Sequence, residues 1–359
     1  MTKIVIFIPS FEGGGVEKNL VYILNFLNKK FKKVYVVTSE KIRNKKLDRN
    51  INFLYPKKIL FRSNNRLIKS FIALLIFLKY FWNKKVLILS FQSNVISIIL
   101  AKINKNKIII RLNTDPKKYI DNIFKKIFFQ IFYKLSNKII VNSNEFKKNI
   151  KELLNLKAQV IFNPFKKEKI NHKKLYLFKN YKGLKILNIA RLTDQKDHLS
   201  LINAVEKLKN DGINFKLCII GRGYNFKYLT NQIKKLSLNK YVKLLGYKIN
   251  AQSYLKYSDL FVLSSRYEGL PNVLLEAQQV GTPIISSNCP SGPKEILLRG
   301  KLGLLFKAGD YSDLYKKFLI FIKNKKIYKK KENKEKKLLY RFDYNKNLNK
   351  YKNIINNQI

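Results

Sequence analysis

Short β-branched runs recur along the chain, separated by longer stretches in which apolar residues return every three or four positions. In the first half the short runs are Lys3–Ile8, Val34–Thr38, Val86–Ser90, Lys107–Arg111 and Lys138–Asn142. In the second they are Lys185–Ala190, Phe215–Gly221, Val242–Gly246, Asp259–Ser264 and Pro283–Ser287. Runs of this kind read as strands and the stretches between them as amphipathic helices. Strand and helix in alternation imply an α/β protein with parallel sheets covered on both faces. The expected fold is two doubly wound, Rossmann-like domains facing across a cleft at the carboxyl ends of their strands, where open α/β sheets bind ligands.

Glycine usage places the boundary. Of 14 glycines, three are Gly13, Gly14 and Gly15, and the other 11 lie from Gly183 onward. The seam falls in the lysine-rich stretch Lys166–Lys182. We therefore expect a first domain over 1–165, a linker over 166–184, a second domain over 185–328 and a charged C-terminal helix over 329–359.

Composition narrows the class. A length of 359 residues suits two domains, and 46% hydrophobic content supplies their cores. The net charge of +52 would ordinarily point to nucleic acid. Here Lys, Asn and Ile crowd every segment, no basic arm stands out, and no nucleic-acid-binding motif accompanies the charge. No nucleic-acid partner is expected. Two cysteines, Cys218 and Cys289, make no disulfide framework and fit a reducing cytoplasm. The most apolar stretch, Ser70–Trp82, is interrupted by Lys79 and falls short of the ~20 residues of a membrane span.

The segment Arg266-Tyr267-Glu268-Gly269-Leu270-Pro271-Asn272-Val273-Leu274-Leu275-Glu276-Ala277 carries the most chemistry. Pro271 suits a helix start and Gly281 with Pro283 a stop, so a helix over about 271–280 is predicted. Glu268 then sits in the entering loop and Glu276 within the helix. The amides of the first turn can take an anion. A carboxylate beside that anion site fits a ligand with phosphate at one end and hydroxyls at the other, a nucleotide sugar. Elsewhere, Gly13-Gly14-Gly15 before a helix lets the backbone approach a ligand, but matches neither G-x-G-x-x-G nor a P-loop. Arg191 and Lys196 follow a predicted strand and can hold a diphosphate. His198, at a helix entry, reads as structural, and His172, in the linker, as incidental.

Together these segments resemble the retaining glycosyltransferases of family 4, two-domain enzymes of the GT-B type, whose E-x7-E signature is similar to Glu268 and Glu276. The resemblance implies that Glu268, Arg191 and Lys196 carry catalysis. It implies a donor site of Gly14, Gly15, Gly246, Gly269, Leu270, Asn272 and Glu276, with Gly246 in the loop that meets the nucleobase. It also implies retention of anomeric configuration and no cofactor beyond the nucleotide-sugar donor. No two aspartates stand two apart, so the metal-holding Asp-x-Asp pattern is absent and no metal is expected. Many family members place a histidine after a mid-domain strand. This chain has Arg111-Leu112-Asn113-Thr114-Asp115 there, which makes Arg111, Asn113 and Asp115 the acceptor-side candidates.

Residues 116–140 form a basic, aromatic-rich segment read as helical, and with 67–82 they suit an anionic membrane surface. The acceptor expected from this is a lipid-linked saccharide at the cytoplasmic face of the inner membrane. The overall pattern is similar to enzymes that add hexosamines to polyprenyl-diphosphate glycans for polysaccharide or glycoprotein assembly, with UDP-N-acetylhexosamine or UDP-hexose as donor. The competing reading is a non-catalytic basic protein that binds membrane or nucleic acid on the same fold.

Overall fold

The computed structural model describes residues 2–11, 15–42, 44, 46–56, 65–167, 178, 180–330 and 338–359. Two compact units divide the chain: Met1–Phe165 with Phe342–Ile359, and Lys166–Arg341.

The first unit runs β1 (Lys3–Phe7), α1 (Gly15–Lys30), β2 (Val34–Val37), β3 (Asn52–Leu54), α2 (Arg66–Phe81), β4 (Val86–Ser90), α3 (Asn94–Ile103), β5 (Lys107–Arg111), α4 (Ile123–Lys134), β6 (Lys138–Val141), α5 (Asn144–Leu154) and β7 (Gln159–Val160). Among the described residues its strands form one sheet in the order β3-β2-β1-β4-β5-β6-β7, every pairing parallel. Alternate residues of the buried strands serve opposite faces. Val5, Phe7, Ile88, Ile108 and Ile110 meet α2, α3 and α5, while Ile4, Ile6, Leu87 and Ile109 meet α1.

The second unit runs β8 (Leu184–Ile189), α6 (His198–Asn210), β9 (Phe215–Ile220), α7 (Phe226–Lys235), β10 (Val242–Leu244), β11 (Leu260–Leu263), α8 (Asn272–Val280), β12 (Ile284–Ser287), α9 (Pro293–Ile296), β13 (Leu304–Phe306), α10 (Tyr311–Lys323) and α11 (Lys325–Lys330). Its sheet is ordered β10-β9-β8-β11-β12-β13, again parallel throughout. The chain runs outward from β8 through β10, then restarts at β11 on the other side. The crevice between β8 and β11 is the switch point at which such sheets bind ligands. In the first unit the equivalent point lies between β1 and β4, where the Ser10 amide and hydroxyl both donate to Gln92 Oε1, at 3.0 and 3.1 Å.

Two sequence expectations need correction. The segment 116–140 is not one helix: Asp115 caps a single turn at Pro116–Lys118, α4 follows, and 138–140 enter β6. The stretch 329–359, read as a charged C-terminal helix of its own, joins the first unit from Phe342 onward. Its final helix, α12 (Tyr344–Asn356), carries Leu348, Tyr351, Ile354 and Ile355 on one stripe and closes the α1 side of the first sheet. The linker expected at 166–184 lies mostly outside the described residues, and β8 already begins at Leu184. Neither cysteine is in a disulfide, and burial in β9 pushes the Cys218 thiol up to about 11. Among the described residues no helix is long and apolar enough to cross a membrane.

Candidate active site

The two switch-point loops of the second unit supply charged groups of both signs. After β8 the chain passes Arg191 and makes a turn over Asp194–Lys196. Asp197 follows in the left-handed conformation and caps α6 by accepting from Ser200. After β11 it runs through Ser264, Ser265 and Glu268 into α8. That helix begins at Asn272 with Pro271 at its cap and ends at Gly281, whose φ of 75° takes the left-handed C-cap.

Lys196 Nζ meets Glu268 Oε1 at 2.5 Å, with side-chain exposures of only 14% and 9%. The same oxygen accepts from Ser265 Oγ at 2.6 Å. Backbone bonds hold the two loops together: Arg266 N–H donates to Gln195 O (2.9 Å), Gln195 Nε2 to Tyr267 O (2.9 Å) and Ser264 Oγ to Lys196 O (2.8 Å). The Arg266 guanidinium reaches Asp197 at 3.3 Å. A third loop, after β12, completes the frame. Glu268 N–H donates to Pro290 O, Ser291 N–H to Glu268 O, and Ser287 Oγ to Ser265 O at 2.6 Å. Glu268 is thus fixed through backbone and side chain, as a preorganised electrostatic site requires.

Two glycines make the convergence possible. A Cβ on Gly292, at φ 99°, would stand 2.1 Å from the Gly269 carbonyl oxygen. One on Gly221 would stand 1.8 Å from the Ala190 oxygen, directly before Arg191. Gly292 and Ser287 lie in the segment 287–296, which reads from sequence as a turn feeding a helix and also resembles the family, whereas Gly221, Ser264 and Ser265 were not singled out. The G-R-G triplet at 221–223 and the serine pair before the signature were the available signals.

The remaining sequence candidates are distributed as follows. Arg191 is exposed, and no bond from its guanidinium occurs among the described residues. Glu276 lies half-buried on α8, and Leu270 is buried behind Gly269. Asn272 opens α8, whose N-terminus has no side-chain cap. Gly246, at φ 65°, accepts from the Gly221 amide beside β10. Gly14 lies outside the described residues, and Gly15 begins α1.

Of the acceptor-side candidates, Arg111 and Asn113 are joined by a hydrogen bond, and Arg111 and Asp115 are enclosed. Arg111 is 1% exposed and donates to Asn113 Oδ1 (2.5 Å) and Asn163 Oδ1 (2.8 Å), with Phe91 beneath it and Tyr351 of α12 beside it. Asp115 is equally buried, accepting from Lys117 N–H and Asn149 Nδ2. Polar partners are what such burial calls for: Asp115 has two donors, while Arg111 is held by two amide oxygens and its Nε has no hydrogen-bond partner among the described residues. Half-buried Asn113 donates to Phe91 O at 2.8 Å and alone of the three keeps partial exposure.

His198, directly beyond Asp197, is buried, and neither ring nitrogen has a hydrogen-bond partner among the described residues. Burial first, and the Lys196 charge second, push its pKa down to about 4. Folded, the ring stays neutral to about pH 4; unfolded, it gains a proton near pH 6.5. Its contribution is therefore complete above pH 6.5 and is lost as pH falls toward 4, by about 3 kcal/mol. Replacing it in His198→Leu should flatten that part of the decline. Urea titrations of both proteins at about pH 7 and about pH 4.5 measure it, and equal slopes would refute the assignment.

Residues 170–338 match the family described as glycosyl transferases group 1. Over 364 residues, 96% of each chain, the protein is 27% identical to the N-acetylgalactosamine-N,N'-diacetylbacillosaminyl-diphospho-undecaprenol 4-alpha-N-acetylgalactosaminyltransferase of Campylobacter jejuni. It is 35% identical to an uncharacterized glycosyltransferase of Methanocaldococcus jannaschii over 217 residues, 56% of this chain and about half (53%) of that relative's length. The fold is similar to that of Anabaena HepE, solved in complex with UDP, with a TM-score of 0.78 at 18% identity over 99% of this chain and 100% of the other.

Proposed function

We propose that this chain, whose residues 170–338 match the glycosyl transferases group 1, moves a sugar from a uridine-diphosphate donor to a lipid-linked saccharide. The reading is a retaining, family 4 type of transfer. The observation that carries it is the Lys196–Glu268 pair, held at the β8/β11 switch point beside the uncapped start of α8.

In this mechanism the donor diphosphate lies against Arg191, Lys196 and the first amides of α8. The two cations and the helix N-terminus meet the charge that develops as the bond from the anomeric carbon to phosphate breaks. These groups occupy the role that a metal held by Asp-x-Asp fills in other transferases. Glu268 accepts hydrogen bonds from sugar hydroxyls and Glu276 from the ribose diol. The acceptor hydroxyl attacks the anomeric carbon on the face the diphosphate leaves. Its oxygen forms the new glycosidic bond, and its proton passes to the departing phosphate oxygen.

Uridine is favoured because the fold neighbour HepE was solved with UDP. A lipid-borne acceptor is favoured because the Campylobacter relative, aligned along nearly its whole length, acts on a diphospho-undecaprenol glycan. The donor is a UDP-N-acetylhexosamine or UDP-hexose and the product a cell-surface polysaccharide or glycoprotein glycan. Transfer then takes place at the cytoplasmic face of the inner membrane, with the enzyme bound peripherally.

A thermal-shift panel of nucleoside diphosphates and their sugars tests the donor. UDP at ~100 times its dissociation constant should add about 2.7 kcal/mol of stability, and GDP and ADP much less. Glu276→Ala should remove most of that shift and raise the donor KM about 10- to 100-fold, as loss of a charge-assisted diol contact would, with kcat within a few-fold. A variant with normal KM and a depressed kcat would reassign Glu276. No shift and no transfer with any donor would favour the non-catalytic reading.

A further inference from the structure

The first unit leaves an apolar surface uncovered across three neighbouring helices. α2 packs on α3 and α3 on α4. On α2, Ile72, Ala73, Ile76 and Phe77 face the core, while Leu67, Phe71 and Leu75 stand exposed on the opposite side. A helix apolar all round belongs in an apolar medium on every side, and α2 has protein on only one. α3 adds exposed Ile99 and Ile103. α4 exposes Phe124 (81%), Ile127, Phe128 and Ile131, a stripe with helical spacing. At the end of α2 stands Trp82, the one tryptophan of the chain, 50% exposed.

Charge identifies what covers this face. Between Arg66 and Thr114 the chain has no acidic residue at all. From there to Asn144 it has two: Asp115, which is buried, and Asp121, which Lys125 neutralises at 2.8 Å. Lys79, Lys102, Lys125 and Lys134 stand exposed on the same three helices. A second copy would bring like charge against like. Nucleic acid would match the charge but gains little from Leu and Ile, which do not stack on bases. An anionic bilayer takes both parts: aliphatic and aromatic side chains enter the boundary of the acyl chains, lysines meet the headgroups and an indole sits between them.

We propose that the α2–α3–α4 face is the membrane-docking surface of this enzyme, seated on an anionic lipid leaflet with Trp82 and the α4 stripe in the interface. The proposal deepens the lipid-acceptor reading, on which it rests for its biological sense, but its test needs neither donor nor acceptor.

Vesicles of phosphatidylglycerol and phosphatidylethanolamine are added to the full chain while Trp82 emission is followed. The expected result is a shift to shorter wavelength and quenching by lipids brominated on the acyl chain, together with pelleting on the vesicles. Phe124→Asn/Ile131→Asn leaves the net charge unchanged and should weaken pelleting at least about tenfold. Because both side chains are exposed, the variant should keep the wild-type melting temperature and UDP-induced shift. Pelleting with Trp82 emission unmoved would overturn the proposal, since charge elsewhere on the chain would then carry the binding. So would equal pelleting of variant and wild type, or a wild-type dimer that the double variant dissolves. Absence of the UDP shift in both proteins would count against the transferase reading alone.

Discussion

Glu268→Gln is expected to lower kcat by about a hundredfold or more, with the fold intact. The amide has the shape of the carboxylate and can still accept from Ser265 Oγ, but it lacks the charge that draws Lys196 to 2.5 Å. What disappears is an electrostatic element fixed before the reaction begins, and removing one such element typically costs 10²–10³ in turnover. Glu268→Ala should lose as much activity and some stability too. It strands the ammonium of Lys196, only 14% exposed, without its partner, and uncompensated buried charges cost about 3–5 kcal/mol when burial is complete. Parallel measurement of kcat and melting temperature separates the effects. A Gln variant within threefold of wild type would remove Glu268 from the mechanism.

Lys196→Met should be comparably damaging, with kcat/KM down by about 10²–10³, because the leaving diphosphate loses its most closely held cation. Two further readouts identify the cause. If Lys196 and Glu268 act as a pair, Lys196→Met/Glu268→Gln should be little worse than either single variant, the non-additivity expected of groups that work as a unit. Loss of the Lys196 charge should also relieve part of the pressure on His198, whose pKa it helps to lower, so that the His198 share of the acid decline becomes smaller and ends at a higher pH. Fully additive losses would mean that the observed ion pair is incidental to turnover.

Much of this site could be read before any coordinates. The helix from Asn272 to Val280 announces itself through local signals: a proline at its start, a glycine at its end and an apolar stripe between. Arg191 and Lys196 follow a strand marked by its own β-branched run. The features that escaped depend on approach between distant segments. β3, β7 and β13 are two or three residues long, too short for a pattern, and exist because a neighbouring strand offers its edge. Gly292 is required by the Gly269 carbonyl, a neighbour that only the folded chain supplies. Arg111 and Asp115 looked like reactive groups because sequence shows charge but not enclosure. The apolar residues of α4 were legible only in part. Their basic and aromatic company suggested a surface role, but only the structure separates the outward-facing Phe124, Ile127 and Ile131 from the neighbours that pack inward.

The return of α12 to the first sheet has a consequence for how the chain is made. Residues 1–165 leave the ribosome early, yet Leu348, Tyr351, Ile354 and Ile355, which cover part of the sheet's α1 side, are translated after all of Lys166–Arg341. Joining the two pieces also closes a loop as long as the entire second unit, an entropic cost that grows only as the logarithm of that length and is lower once that unit has folded and brought its ends to fixed positions. Vectorial synthesis therefore favours an order in which the inserted unit matures first, while the nascent first unit waits with an unsealed hydrophobic seam that is a natural client for a ribosome-associated chaperone.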